Sequence, residues 1–244
     1  MKKLTSIIIA LIISCFCVSC TLPFESDREL YNKASTVSVK SCVKIIAENK
    51  KVNIFSSQLM HVNVGSGVIY TQTDGLYYVI TNNHVTSPVD PNYAVDYVIY
   101  DCYGNSYGAE LVKSSVEDDL AMLRFKGKTD IPLNVSNFSN TPCKIDDIVI
   151  AIGSPNGMFN TVTIGSVVDI KQVEFTDEST NSIEYPVICH TAIIDNGSSG
   201  GMLLNNNLEI VGINFAGGVD EQGVFVEGYA IPLEKVVNFT IEMI

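Results

Sequence analysis

The feature that most constrains the fold is a succession of about twelve short apolar runs, each bounded by turn-forming residues. The first two runs are Thr36–Ala47 and Val62–Tyr70, and turn signals such as Thr73-Asp74-Gly75 separate later ones. Asn, Asp and Gly tolerate the positive φ angles of tight hairpins, so these separators favour antiparallel strands. Only the segment after Pro232, Leu233 to Ile244, has the pattern of a helix. The spacing predicts an all-β fold of barrels or a sandwich.

Composition narrows the class of protein. The chain has 244 residues, of which 46% are hydrophobic and 17% charged, so a sizeable core can be buried and disorder is not expected. The formal net charge is −12. Because a nucleic-acid binder needs a basic face for phosphates, we expect no nucleic-acid partner. No linker or repeat divides the chain, which predicts one folded domain over residues 35–244.

The first twenty residues are typical of an export signal. Met1-Lys2-Lys3 is basic, and the uncharged run that follows is shorter than the roughly 20 residues of a membrane-spanning helix. Cys20 and Cys15 each follow a serine, which resembles the lipobox of bacterial lipoproteins. We favour Cys20 as the lipidated residue, with Cys15 as the alternative, and an uncleaved signal anchor as a third interpretation. Residues 1–20 are thus assigned to the signal and 21–34 to a tether or short helix, with the rest outside the cytoplasm at the cell envelope.

Four further cysteines follow the signal. They show no CxxC spacing, so a zinc site is not expected, and we predict neither a metal nor a cofactor. An exported protein can form disulfides, but buried free thiols in strands fit the sequence equally well, so the pairing stays open. The four are Cys42, Cys102, Cys143 and Cys189.

The scarcity of histidine restricts the catalytic chemistry, because the chain has three. Gly197-Ser198-Ser199-Gly200-Gly201 fits the G-x-S-x-G nucleophile elbow of the α/β-hydrolases, but that fold needs a histidine after the serine. No histidine follows His190. The order Asp, His, Ser belongs to an α/β sheet, which this strand-rich chain does not suggest. A catalytic triad of serine, histidine and acid in this chain must therefore occur in the sequence order His, Asp, Ser.

His84 is the candidate base, because it ends an apolar strand from which its ring can face a cleft. His61 lies in a polar stretch typical of a surface, and His190 lies in an apolar run typical of a structural histidine. Asp119 is the candidate acid and is preferred to Asp118, because it directly adjoins an apolar strand. An aspartate in this position can fix the imidazole tautomer and stabilise the imidazolium.

Several motifs, in order from about residue 34 to the C-terminus, resemble the HtrA/DegP branch of the trypsin-like serine peptidases. They are Thr81-Asn82-Asn83-His84-Val85, Asp119-Leu120-Ala121-Met122-Leu123, Ile152-Gly153-Ser154-Pro155, Asn196-Gly197-Ser198-Ser199-Gly200-Gly201, Val211-Gly212-Ile213-Asn214 and Tyr229-Ala230-Ile231-Pro232. The resemblance implies two six-stranded β-barrels that meet near residues 130–145, with the active site between them and a short C-terminal helix. It implies His84 as base, Asp119 as orienting acid and Ser199 as nucleophile. The backbone N–H groups of Gly197 and Ser199 would form the oxyanion hole.

The resemblance also indicates how a substrate would lie. Ile193 is six residues before Ser199, where trypsin-like enzymes that cut after Lys or Arg carry Asp, so we expect a small or medium apolar P1 residue. Asn214, Phe215 and Ala216 would form the strand edge that pairs with the substrate backbone.

Some positions depart from the family pattern. Met202 stands where the family usually has Pro, Ser198 where Asn is common, and Asp195-Asn196 where Asn-Pro is common. None of these changes removes a reacting group, but they put the rigidity of the nucleophile loop in doubt. About a dozen residues follow Pro232, so a PDZ domain, usual in HtrA proteins, is not expected.

The function expected from the sequence is that of an extracytoplasmic serine endopeptidase that cleaves unfolded or specific envelope proteins. The alternative is a catalytically weak trypsin-like fold that acts as a surface adhesin or peptide-binding module. Expected partners are protein or peptide substrates and, through the N-terminal lipid, the membrane. A homotrimer is possible by family resemblance.

Overall fold

Two closed six-stranded barrels make up most of the protein. The computed structural model describes residues 22–128, 130, 133–173 and 183–241, with side chains from residue 27 onward. The predicted export signal and both candidate lipidation cysteines lie outside the described residues. Strand pairing is antiparallel around each barrel, and a short helix follows the second barrel. The predicted all-β double barrel with a short C-terminal helix is therefore confirmed.

The first barrel closes in the order β1-β2-β3-β6-β5-β4. Its strands are β1 Cys42–Val52, β2 Ser57–Thr73, β3 Leu76–Thr81, β4 Ala94–Tyr100, β5 Ser106–Ser115 and β6 Leu120–Lys126. The second barrel closes in the order β10-β11-β12-β9-β8-β7. Its strands are β7 Ile148–Gly153, β8 Thr161–Lys171, β9 Val187–His190, β10 Met202–Leu204, β11 Ile210–Val219 and β12 Phe225–Pro232.

Three α-helices accompany the barrels in the described residues. They are α1 Leu22–Thr36, α2 Asn83–Thr86 and α3 Leu233–Ile241, and short 3-10 turns cover Ser38–Ser41 and Pro155–Gly157. Helix α3 buries Val236 and Phe239, which are three residues apart and so share one face. Within the described part of the chain, no helix combines the length and apolar character needed to cross a bilayer.

The largest apolar core joins the two barrels. Ile80 and Met122 of the first barrel belong to the same buried cluster as Ile152 and Phe215 of the second. Each such side chain, when fully buried, contributes about 1.5–3 kcal/mol. This shared core fixes the relative position of the barrels and hence of the residues that face each other across the cleft.

The first hairpin differs from the sequence prediction. The predicted strand Thr36–Ala47 begins later, at Cys42, because Thr36 ends α1 and its hydroxyl bonds back to the Asn32 carbonyl at 2.8 Å. The following strand begins at Ser57 rather than Val62, because β1 and β2 keep pairing beyond the buried part of the barrel, past a bulge at Asn49/Lys50. Main-chain hydrogen bonds rather than buried side chains extend this hairpin, so burial patterns do not reveal its length.

The four described cysteines are free thiols. Three of them are buried, and burial raises the pKa of Cys42 to about 12 and the pKa of both Cys143 and Cys189 to about 11. Such thiols stay protonated at neutral pH, which makes them poor nucleophiles.

Candidate active site

His84 and Asp119 form a hydrogen-bonded pair between β3 and β6. His84 lies in α2, directly after β3, and its Nδ1 is 2.8 Å from Asp119 Oδ2. The His84 backbone N–H donates to the other carboxylate oxygen, Oδ1, at 2.9 Å. Because the carboxylate accepts at Nδ1, that nitrogen carries the hydrogen, and in the neutral form of the imidazole Nε2 is the acceptor. The Asp119 side chain is 1% exposed and the His84 side chain 20%, so the ring alone reaches solvent.

The backbone of Asp119 is held in an unusual conformation. Its φ is 48°, in the left-handed region where a non-glycine residue costs about 1–3 kcal/mol. Asn82 Nδ2 donates to the Asp119 carbonyl at 3.0 Å, and the Asn83 backbone N–H donates to the same oxygen at 3.1 Å. These two bonds from the segment that carries His84 hold the carboxylate against the imidazole.

Asp118, the other candidate acid, points away from His84 and towards the second barrel. Lys235 Nζ of α3 lies 2.9 Å from its carboxylate, and the Tyr185 hydroxyl donates to its carbonyl at 2.9 Å. The same ammonium lies 4.3 Å from the centre of the Tyr185 ring. Burial and the nearby carboxylates raise the pKa of Tyr185, so it remains a donor. These contacts pin the turn before β6 to the second barrel.

Ser199 lies at a tight turn between β9 and β10, facing the same cleft as His84. Its hydroxyl donates to the Phe215 carbonyl at 3.1 Å, and no hydrogen bond joins it to His84 among the described residues. Its own carbonyl accepts the Ser66 N–H of the first barrel at 2.7 Å. The Gly200 N–H donates to the Asn214 carbonyl at 2.8 Å. The turn is thus anchored to both barrels through the main chain.

The amide of Gly197 faces away from the loop that follows β7. The Asn196 carbonyl accepts the Asn156 N–H at 2.6 Å, and a trans peptide points its N–H opposite to its carbonyl. Gly197 has φ 93°, and a Cβ there would lie 2.8 Å from the Ser154 carbonyl oxygen, so glycine is required. Within the described structure, neither the Gly197 nor the Ser199 N–H has a hydrogen-bond acceptor.

Comparison with known proteins fits this geometry. A family model described as "Trypsin-like peptidase domain" matches residues 65–213, which is more than half of the chain. The chain belongs to the trypsin-like peptidase domain family.

Similar proteins are named as HtrA or DegP proteases. The chain is 35% identical over 192 residues to "Serine protease Do-like HtrA" of Bacillus subtilis (strain 168), covering 78% of this chain and 41% of that protein. It is 32% identical over 182 residues to "Periplasmic serine endoprotease DegP" of Escherichia coli (strain K12), covering 74% and 36%. The chain thus spans less than half the length of these curated relatives.

A solved structure gives the same fold. An HtrA-type protease, AlgW, determined with a tripeptide, superposes with a TM-score of 0.69 and is 26% identical in sequence. The match covers 87% of this chain and 63% of that one. The resemblance to the HtrA/DegP branch is therefore confirmed at the level of sequence and fold.

The cleft of this trypsin-like peptidase has a volume of about 1360 Å³ and is lined by both barrels. His84 and the β2 residues from His61 to Val64 line it from the first barrel, and Ser199, Phe215 and Ala216 from the second. His61 is thus an exposed cleft residue. His190 is buried outside the cleft, where Nε2 lies 3.1 Å from Asn214 Oδ1.

Three of the four residues predicted to bind substrate line the cleft, and the fourth, Asn214, does not. Ile193 lines the cleft but is 61% exposed, at its rim, whereas Ile194 also lines the cleft and is 8% exposed. A Cβ at Gly217 would lie 3.6 Å from Ile194 Cγ1, so this glycine keeps the space above Ile194 open. Phe215 and Ala216 line the cleft, but the Asn214 side chain is 1% exposed and turned inward to His190 and the Met202 carbonyl.

Asn156 is a site residue that sequence reasoning missed. Its φ is 52°, its side-chain Nδ2 donates to Asp195 Oδ2 at 2.8 Å, and its backbone N–H holds the Asn196 carbonyl. It therefore bonds both residues that precede Gly197. The one available signal in the sequence was the Ser154-Pro155-Asn156-Gly157 turn. Such a turn predicts a loop but does not predict which residues the loop contacts.

Proposed function

We propose that this trypsin-like peptidase is a serine endopeptidase with His84 as general base, Asp119 as orienting acid and Ser199 as nucleophile. The observation that carries the proposal is the bonded His84–Asp119 pair in the same cleft as Ser199, with two unpaired amides beside the hydroxyl. The names of the HtrA and DegP relatives support the same chemistry.

The reaction follows the serine-histidine-aspartate template. Ser199 Oγ attacks the scissile carbonyl carbon while His84 Nε2 takes the hydroxyl proton, and the N–H groups of Gly197 and Ser199 bind the oxyanion. His84 then gives the proton to the leaving amine as the C–N bond breaks, leaving an acyl-enzyme on Ser199. Water, deprotonated by His84, hydrolyses that ester. Removing one oxyanion donor typically costs about 3–4 kcal/mol of transition-state stabilisation.

The resting hydroxyl must first leave the Phe215 carbonyl. A substrate strand that pairs with β11 offers a backbone N–H to that oxygen and so competes with Ser199 for it. A rotation about the Ser199 Cα–Cβ bond then directs Oγ to His84. In this mechanism substrate binding itself prepares the nucleophile.

We further propose that the protein acts at the cell envelope on unfolded or specific envelope proteins. The basic and apolar start of the chain supports export, and DegP is named a periplasmic enzyme. Lipidation at Cys20, or alternatively Cys15, would anchor it to the membrane. The intact mass of membrane-extracted protein tests the anchor, and light scattering tests whether it forms a homotrimer.

An active-site-directed fluorophosphonate probe tests the catalytic proposal. Folded wild-type protein should be labelled, Ser199→Ala should not, and Ser106→Ala, a change at an exposed serine on β5, should be labelled like the wild type. Loss of label in Ser199→Ala should coincide with loss of peptide cleavage. If folded wild-type protein stays unlabelled even with peptide present, the adhesin or peptide-binding alternative replaces the enzyme.

A further inference from the structure

Ser66 is a buried serine of β2 whose hydroxyl contacts the second barrel. The residue is 0% exposed, and its Oγ donates to the Gly197 carbonyl at 2.7 Å. The same oxygen accepts the backbone N–H of Ser154, directly after β7, at 2.8 Å. One hydroxyl therefore joins the loop after β7 to the turn Gly197–Gly200, here called the nucleophile turn.

The main chain of Ser66 makes two further bonds to the catalytic machinery. Its N–H donates to the Ser199 carbonyl at 2.7 Å, and its own carbonyl accepts the Thr81 hydroxyl at 2.7 Å. Thr81 is the last residue of β3 and lies three residues before His84. Ser66 thus connects the nucleophile turn with the segment that carries the proposed base.

Glycines let β2 and the nucleophile turn approach each other closely. A Cβ at Gly200, where φ is 85°, would lie 2.1 Å from the Ser66 carbonyl oxygen. A Cβ at Gly65 would lie 3.2 Å from the Ser199 carbonyl oxygen. Since no side chain separates the two segments at these points, the short side chain of Ser66 can reach the Gly197 carbonyl.

Two peptide planes flank the Ser199 N–H, one of the two proposed oxyanion donors. That N–H belongs to the peptide between Ser198 and Ser199. The planes on either side carry the carbonyls of Gly197 and Ser199, and Ser66 holds the first through Oγ and the second through its backbone N–H. Of these two bonds, the one to Gly197 comes from a side chain and can be removed by substitution.

We propose that Ser66 is a positioning residue of this enzyme, whose hydroxyl keeps the nucleophile turn in the conformation that aims the Gly197 and Ser199 N–H groups at the oxyanion. Ser66 is not among the cleft-lining residues of the described structure, so it acts through the turn and does not touch substrate. Without the hydroxyl, Gly197 regains the backbone freedom of glycine and the donors lose their alignment. This inference rests on the proposed endopeptidase function.

Steady-state cleavage of a peptide with Val at P1 tests the role of the hydroxyl. Ser66→Ala should lower kcat about 30-fold and change KM less than about twofold, because ground-state binding does not use the oxyanion donors. This loss is smaller than the roughly 10²–10³-fold expected when a donor is removed outright. Ser66→Cys keeps a hydrogen on a weaker donor and should lose about fivefold in kcat.

Ser41→Ala is the matched control. Ser41 is also buried, at 1% exposed, and its hydroxyl donates to the Ser38 carbonyl at 2.8 Å, outside the nucleophile turn. This variant loses a buried hydroxyl bond as Ser66→Ala does, but it should keep kcat within about twofold of the wild type. Urea unfolding of both variants compares their losses of stability.

A peptide aldehyde separates positioning from a general loosening of the fold. Ser199 Oγ adds to the aldehyde carbon, and the oxygen of the resulting hemiacetal lies at the oxyanion donors, whereas the matched peptide alcohol binds without forming that bond. In Ser66→Ala the inhibition constant of the aldehyde should rise by the same factor by which kcat/KM falls. The inhibition constant of the alcohol should change less than about twofold.

Three results would overturn the inference and leave the endopeptidase in place. They are an unchanged kcat in folded Ser66→Ala, an equal loss of kcat in Ser41→Ala, and equal weakening of the aldehyde and the alcohol. If Ser66→Ala does not fold, Ser66→Cys decides, and an unchanged kcat there overturns the inference. If wild-type protein is neither labelled at Ser199 nor able to cleave the peptide, the endopeptidase itself is wrong.

Discussion

The Asn156 side chain donates a 2.8 Å hydrogen bond to the Asp195 carboxylate, across 39 residues of sequence. The same residue holds the Asn196 carbonyl through its backbone N–H at 2.6 Å. Asp195 and Asn196 stand where the HtrA pattern usually has Asn-Pro, so the loop lacks the stiffness of a proline. The two bonds from Asn156 supply an alternative restraint on the peptide whose N–H we assign to the oxyanion hole.

Asn156→Gly should therefore lower kcat roughly fivefold with little change in KM, since a lost hydrogen bond of this kind costs about 1 kcal/mol. Glycine keeps the left-handed backbone and its N–H, so only the side-chain bond is removed. Asp195→Ala should have a similar effect, and the double variant should be no worse than either. Additive losses in a double-mutant cycle for peptide cleavage would show that the pair does not act as a unit.

Asp119→Asn should lower kcat about 10⁴-fold, because the amide no longer enforces the tautomer with hydrogen on His84 Nδ1. Asp118→Asn serves as the neighbouring control and should cost less than tenfold, because its carboxylate contacts Lys235 rather than His84. Steady-state cleavage of one peptide by both variants measures the contrast. Equal losses of kcat would mean that the conformation of the turn before β6, rather than the Asp119 carboxylate at the imidazole, determines the rate.

Lys235→Met should lower the free energy of unfolding by about 1 kcal/mol, because it removes a partly exposed ion pair with Asp118 and the contact with the Tyr185 ring. Lys235→Arg should recover most of the loss. Lys126→Met is the control, since Lys126 is exposed and has no ion pair in the described structure. Urea unfolding of the three variants tests this, and a loss in Lys126→Met as large as in Lys235→Met would refute a specific role for the pair.

Stability should fall with acid because of His190. Burial lowers the pKa of His190 from 6.5 to about 4. Between these pH values the unfolded chain therefore binds a proton that the folded chain does not bind. The cost is absent above pH 6.5, grows as pH falls, and levels off near pH 4 at about 3 kcal/mol. Urea unfolding at pH 7 and pH 4 should show a drop that is larger by this amount in the wild type than in His190→Asn. His61→Asn, at an exposed site, should retain the wild-type drop.

Sequence patterns predict the barrels well, because buried strands alternate or run apolar between turn residues, as β3 and β7 do. The hairpin extension from Ser57 was missed because its residues are exposed, so its ladder hydrogen bonds leave no pattern of buried residues in the sequence. The pairing of Lys235 with Asp118 spans 117 residues and depends on how the two barrels pack. A local sequence pattern cannot predict a contact between residues so far apart in the chain. The hydrogen bond from the resting Ser199 hydroxyl to the Phe215 carbonyl was also not predictable, because it too depends on the folded arrangement.

The Phe215 carbonyl, as the resting acceptor of Ser199, bears on which proteins would resist cleavage in the proposed mechanism. The Phe215 oxygen belongs to the main chain, so it can be claimed by any residue that presents a free amide hydrogen in an extended conformation. A folded neighbour keeps its amides within its own helices and sheets, and proline has none to offer. In the proposed mechanism, selectivity at this step would therefore discriminate between chain conformations before any side chain is tested, and a proline placed opposite the Phe215 oxygen would leave Ser199 at its resting acceptor.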